Sequence, residues 1–347
     1  MHPFSQVDAL VRQGLEDGAY PAAALAVGIG DKTYLKKTYG SCTEATLFDM
    51  ASCSKILGAT MITFRFLEEG KLRLYDPVEL FFPDAPEDKK AITILNLLTH
   101  TGGFAPHFLL SDLPGAPEEA AHTILNYPLE SLPGTEPNYS CMGYILLGKI
   151  LEQVGGAPLD VLAQRYVFDP LALSHTTYRP TGDVAPTERD PETGELICGV
   201  VHDENARFLK GISANAGIFS DISDMERFVK MLALGGKLPG EEAYLSPAML
   251  SAALINRTPN SHGEFRGLGF NLAHSPRNFL GDLMSSRAYG HTGFTGTSIA
   301  IDPETGLWLV LLTNRVCPTR ANVKTVRLRS LIHNAAAAEA SRLVASK

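Results

Sequence analysis

Phe48-Asp49-Met50-Ala51-Ser52-Cys53-Ser54-Lys55 leads into a run in which Ile56, Leu57, Met61, Ile62, Phe64, Phe66 and Leu67 fall on most sides of a helix, closed by Gly70. A helix with so little wet face is a buried one, and a glycine just past its end supplies the left-handed cap. Such a helix belongs at the centre of a molecule, so the flanking segments have to enclose it. Upstream, residues 4–17 suit an amphipathic helix, and Ala22 to Ile29 and Thr33 to Thr38 read as two strands joined at Gly30-Asp31. Downstream, Gly217 to Ser220, Thr297 to Ile301 and Leu307 to Thr313 read as strands, the last two separated by the turn residues 302–306, and a closing helix spans Asn322 to Val344.

Between these regions, residues 71–205 carry short helices, Ile92 to Thr99 and Met142 to Val154 among them, in loops rich in proline and glycine. Strands at both ends with helices between them predict an α/β (α+β) fold, with an antiparallel sheet flanked by helices and assembled from both termini. The expected division is a sheet domain of residues 1–60 and 206–347, a mainly helical lobe of 61–205, and an active site in the cleft between them.

Composition narrows the function. The chain has 347 residues, 45% hydrophobic and 20% charged, ordinary for a globular protein of this size. A net charge of -8 disfavours a nucleic-acid partner, whose phosphates need clustered Lys and Arg. The start, Met1 to Asp8, lacks the apolar core of a secretory signal, and no stretch is long and apolar enough to span a bilayer, so the reading is cytoplasmic with no membrane partner. Cys42, Cys53, Cys141, Cys198 and Cys317 are odd in number and scattered, which argues against a disulfide framework or a zinc site.

Three segments carry chemistry. Ser52 and Lys55 stand three apart at a helix start, so they share a face, and a lysine whose pKa is lowered by burial can take the serine proton. Tyr139 precedes the second apolar helix, where a nearby lysine would favour its use as a general base and acid. Tyr289-Gly290-His291-Thr292-Gly293-Phe294-Thr295-Gly296 leads into a strand, with glycines that allow close backbone approach and a Phe294 N–H able to donate to an oxyanion. Each motif alone recurs by chance in many chains; their order is specific.

In that order the sequence resembles the class C β-lactamase, penicillin-binding protein and family VIII esterase group over nearly the whole chain. Phe48 to Ala51, Glu69 to Leu72, Leu97 to Gly103, Val201 to Ala206, and Ala216 to Ser220 match it as well. The resemblance implies Ser52 as nucleophile, Lys55 as its activating partner, and Tyr139 as general base and acid. It implies His291-Thr292-Gly293 as the strand motif beside the substrate, and the N–H groups of Ser52 and Phe294 as the oxyanion hole.

Two positions depart from the group's pattern. Cys141 stands where Y-x-N has its asparagine, and His291 where K-T-G has its lysine. A thiol is a poor partner for a substrate amide, and a histidine is mostly neutral near pH 7. Both changes favour a carboxylesterase over a β-lactamase or a D-Ala-D-Ala carboxypeptidase; a catalytically silent ligand sensor or scaffold is the remaining alternative. The expected partner is a small ester or amide, with no metal or organic cofactor. His202-Asp203-Glu204 is expected to fix a loop, His100 to make a local hydrogen bond, and Cys53 to point away from the reaction.

Overall fold

The computed structural model describes residues 3–258, 263–273, 275 and 279–345. Eight strands are present among them: β1 (Ala22–Ile29), β2 (Lys32–Gly40), β3 (Phe48–Asp49), β4 (Phe219–Ser220), β5 (Asn271–Leu272), β6 (Tyr289–Thr292), β7 (Ser298–Asp302) and β8 (Leu307–Thr313). Six form one antiparallel sheet in the order β2-β1-β8-β7-β6-β5, so the first hairpin of the chain is sealed directly onto its last strand. This is the sheet assembled from both termini that the sequence predicts.

Alternation explains why both faces are covered. In β8, Leu307, Leu309 and Leu311 face one way and pack with Val7 and Val11 of the helix Ser5–Glu16 and with Ile332, Ala336 and Ala340 of the helix Lys324–Ala345. Trp308, Val310 and Leu312 face the other way, into a core shared with Ile56, Leu57, Met61 and Phe64 and with Phe228 and Leu232 of the helix Ile222–Ala233. Fully burying each such side chain contributes roughly 1.5–3 kcal/mol, so both layers of helices are held by apolar area.

The central helix is present but not uniform. Cys53–Lys55 is α-helical, Ile56–Thr60 widens into a π-helical turn, and Met61–Glu68 resumes the α-helix, with Gly70 following at φ 68°. Every residue from Cys53 to Phe64 is buried. Two expectations need adjustment. The strand expected over Gly217 to Ser220 shrinks to Phe219–Ser220 and pairs with β3 rather than joining the main sheet. The helix Ile222–Ala233, capped by Asp221 through Ser223 N and Asp224 N, was not anticipated.

Candidate active site

Ser52 stands at the start of the buried helix, placed there by a strained residue. Ala51 has φ 45°, a left-handed conformation that a residue with a Cβ adopts only when its surroundings force it. The force comes from Asp49, fully buried, whose carboxylate accepts from Ala51 N at 2.8 Å and from His202 N at 2.7 Å. Next door, Met50 N donates to Ile218 O, and Ser54 Oγ accepts from Ile218 N.

The glycine-rich segment is fastened to the same backbone. Thr295 Oγ1 donates to Asp49 O at 2.7 Å, Thr297 Oγ1 to Met50 O at 3.0 Å, and Gly293 N to Thr297 O at 2.8 Å. Gly293 is the contact point between the segments, because a Cβ there would overlap Thr297 Oγ1 and the Met50 carbonyl. This arrangement holds Phe294 beside Ser52, half exposed, between the His202 ring and the Arg315 guanidinium.

Lys55 is completely buried. Its Nζ donates to Ser52 Oγ at 3.1 Å and to the Asn215 carbonyl at 3.0 Å, lies 3.6 Å from Cys141 Sγ, and sits 5.0 Å from the Tyr139 ring centre. Here the structure corrects an expectation. Burial pulls the ammonium pKa down, but Cys141 and the hydrogen-bonded Tyr139 hydroxyl outweigh it, so Lys55 is held above the usual lysine range. It is a cation in the site, not a neutral amine.

Tyr139 is positioned by rings. His100 packs against it with centroids 4.3 Å apart, while the Arg266 guanidinium lies 5.1 Å from its ring centre. His100 is itself left-handed at φ 57°, and its Nδ1 accepts from Ser140 N at 3.1 Å, a partner 40 residues along the chain rather than the local one expected. Burial keeps His100 neutral, well below the ordinary histidine pKa. Ser140 then caps the helix Cys141–Gly155 by accepting from Met142 N and Gly143 N.

His291 lies on β6, buried, with Nδ1 at 2.8 Å from Thr292 O. Burial, reinforced by Lys55 and Arg266, lowers its pKa to about 3. Cys53 is sealed away: its thiol approaches the His291 carbonyl and Thr297 Oγ1, each at 3.7 Å, and burial pushes it up to about 11.

A cavity of about 320 Å³ opens over this set, with Ala51, Pro106, Ala216 and Phe294 as apolar wall and Ser52, Tyr139 and Cys141 among its polar lining. Lys55 lies beneath it, and His291, Thr292 and Gly293 do not line it. His202, Asp203 and Glu204 reach the rim, held in a network: His202 bonds Glu188, Asp203 caps the helix Glu204–Phe208 and accepts from Asn215, and Glu204 pairs with Arg320 at 2.7 Å. Sequence reasoning missed Asn215, His107, Glu188 and Arg320. Asn215 alone left a trace, immediately before the matched stretch Ala216 to Ser220.

Among the described residues, His175, Asp221 and Asp224 present ligand atoms within 4.8 Å of one another. Their oxygens already serve the fold, Asp221 as a helix cap and Asp224 as acceptor from His175 N, Thr176 N and Thr176 Oγ1.

The family model described as Beta-lactamase matches residues 7–333. A putative D-alanyl-D-alanine carboxypeptidase of Escherichia coli K12 is 29% identical, over 90% of this chain and 82% of its own. Among solved structures, EstCE1, a hydrolase with promiscuous acyltransferase activity, superposes with a TM-score of 0.78 at 22% identity, over 96% of this chain and 98% of its own. A penicillin-binding protein homologue from Caulobacter crescentus gives 0.77 at 21% identity, over 98% of each chain.

Proposed function

The chain belongs to the β-lactamase family, and from that premise we propose that it is a carboxylesterase working through an acyl-enzyme on Ser52. In this reading Ser52 Oγ attacks the ester carbonyl and its proton passes to the oxygen of Tyr139 acting as phenolate, with the Lys55 ammonium, 3.1 Å from Ser52 Oγ, steadying the charge that moves. The backbone N–H groups of Ser52 and Phe294 receive the oxyanion, supported by the fastening of the 293–297 segment to Asp49 and Met50. The alcohol leaves with the proton returned by Tyr139, and a water molecule, deprotonated along the same path, releases the acid and frees Ser52. Residues 1–60 and 206–347 as one domain, and 61–205 as the other, belong to the same proposal.

One observation carries the preference for esters. His291, which stands where the K-T-G pattern has its lysine, is buried and neutral, with its pKa lowered to about 3 and its Nδ1 tied to Thr292 O. It offers no charge to a substrate carboxylate. Arg320, at the cavity rim, is already paired with Glu188 and Glu204. Cys141 in place of an amide side chain points the same way, since a thiol pairs poorly with a peptide or β-lactam amide.

The carboxypeptidase name of the Escherichia coli relative supports a second reading, cleavage of a D-alanyl-D-alanine terminus. The experiment that separates the readings is intact-mass measurement after a fluorophosphonate, beside turnover of p-nitrophenyl esters, nitrocefin and a D-alanyl-D-alanine peptide by wild type and Ser52→Ala. Ester turnover lost in Ser52→Ala, with nitrocefin and peptide poor, is the expected result. Peptide turnover that exceeds ester turnover replaces the first reading by the second, and absence of labelling and of all turnover leaves a silent ligand sensor or scaffold.

A further inference from the structure

Beside the Ser52 set, the cavity holds a second reactive group that the proposed hydrolysis does not use. Cys141 opens the helix Cys141–Gly155 and lines the cavity, with its Sγ 3.6 Å from Lys55 Nζ. His107 lines the same cavity on the facing loop, near enough to the thiol for each to shift the other's titration. The backbone fixes this meeting, because Cys141 N donates to Pro106 O at 3.1 Å and so ties the start of the helix to the residue before His107.

The two partners act on the sulfur in one direction. Burial pushes the Cys141 thiol up, but the Lys55 ammonium and the neighbouring His107 hold it below the ordinary thiol range. His107 is raised in turn, chiefly by Cys141. The other buried or half-buried cysteines go the opposite way: burial raises Cys42, Cys53 and Cys317. Cys198 is exposed, and its sulfur donates to the Val184 carbonyl.

We propose that Cys141 is a modification site, a thiol that hydroperoxides reach through the substrate cavity and whose oxidation switches off acylation of Ser52. The switching half rests on the reading of Ser52 as nucleophile; the thiol chemistry does not. With its proton held on His107, the Cys141 thiolate attacks one peroxide oxygen, the O–O bond breaks, and the departing hydroxide takes that proton back from the His107 imidazolium and leaves as water. Sulfur is oxidised by two electrons to the sulfenic acid and the peroxide is reduced by two. The added oxygen enters the space between Sγ and Nζ and competes with Ser52 Oγ for the Lys55 ammonium.

The test exposes the full-length protein to hydrogen peroxide in the presence of dimedone, which traps sulfenic acid, and maps the adducts peptide by peptide. Fluorophosphonate labelling of Ser52 is followed in parallel, before and after dithiothreitol in a sample without dimedone. The adduct is expected on the Cys141 peptide about ten-fold or more faster than on those of Cys42 and Cys198. It is expected unchanged in Ser52→Ala and slowed about ten-fold in His107→Gln. Labelling is expected to fall as Cys141 oxidises and to return with dithiothreitol.

Cys198 oxidising as fast as Cys141, or His107→Gln leaving the rate unaltered, overturns the site. Full labelling of Ser52 in protein with oxidised Cys141 overturns the switch. If Ser52 never labels, even before peroxide, the hydrolase reading fails, and with it the switch, while the dimedone map still decides the thiol site.

Discussion

The Asn215 backbone carbonyl, not its amide side chain, accepts from the Lys55 ammonium, at 3.0 Å. The side chain serves elsewhere: Nδ2 donates to Asp203 Oδ1 at 3.1 Å, and Oδ1 accepts from Ser213 Oγ at 2.6 Å. The residue thus joins the lysine to the rim network without exposing any of itself.

Asn215→Ala keeps the carbonyl and removes both side-chain bonds. It is expected to cost about 1–3 kcal/mol in stability, the scale for stranding buried polar partners, while ester turnover falls by about ten-fold or less. Denaturant unfolding and p-nitrophenyl ester kinetics check the two halves. A loss of turnover as large as that of Ser52→Ala would mean that the side chain itself takes part in the reaction.

Tyr139→Phe leaves the ring packed on His100 and removes only the hydroxyl that bonds Lys55. With the lysine held as a cation, the serine proton loses the acceptor placed for it, so kcat is expected to drop by about 10²-fold or more with the fold unchanged. Stopped-flow acylation and circular dichroism measure both. Near-normal acylation would return the proton to Lys55.

Gly293→Ala places a methyl against Thr297 Oγ1 and the Met50 carbonyl, so the 293–297 segment must move away from Ser52. Fluorophosphonate labelling is expected to slow by about 10²-fold, the usual cost of a misplaced oxyanion donor, with the main sheet intact. Unaltered labelling would show that the oxyanion is not held by Phe294.

Three buried histidines make the folded state sensitive to acid. Burial depresses His291 and His333 to about 3 and His100 well below the ordinary value. Below about pH 6.5 the unfolded chain takes up protons that these folded sites refuse, so the stability they contribute is present at neutral pH and lost as pH falls. Each contributes about 1.4 kcal/mol per pH unit, together about 4 kcal/mol. Denaturant midpoints are expected to fall steeply from about pH 6 downward. Neither ring nitrogen of His333 has a hydrogen-bond partner among the described residues, and His333→Leu is expected to raise stability at pH 5 by more than at pH 8. Equal midpoints at the two pH values for wild type would refute the argument.

Legibility in the sequence followed locality. The ends of β7 and of the buried helix are readable because apolar runs end at Asp302-Pro303 and at Gly70, signals carried by neighbouring residues. The helix Ile222–Ala233 carried such a signal too, Ile222, Met225, Phe228, Val229 and Leu232 behind an aspartate cap, and it went unread. The sense of the Lys55 shift was of another kind. Burial is written in the flanking residues, but Cys141 and Tyr139 come from a segment more than 80 positions away, and nothing in either segment states that they will touch. The partnership of His107 and Cys141 is hidden for the same reason.

The side-by-side pairing of β1 with β8 has a consequence for biosynthesis. Trp308 Nε1 donates to Gly30 O across a separation of 278 residues, so the first hairpin has no partner in the middle of the sheet until Leu307 to Thr313 have emerged from the ribosome. The platform that carries Phe294 to Ser52 is therefore among the last things to exist, and a nascent or truncated chain ending before Leu307 is expected to remain inert toward any ester it meets.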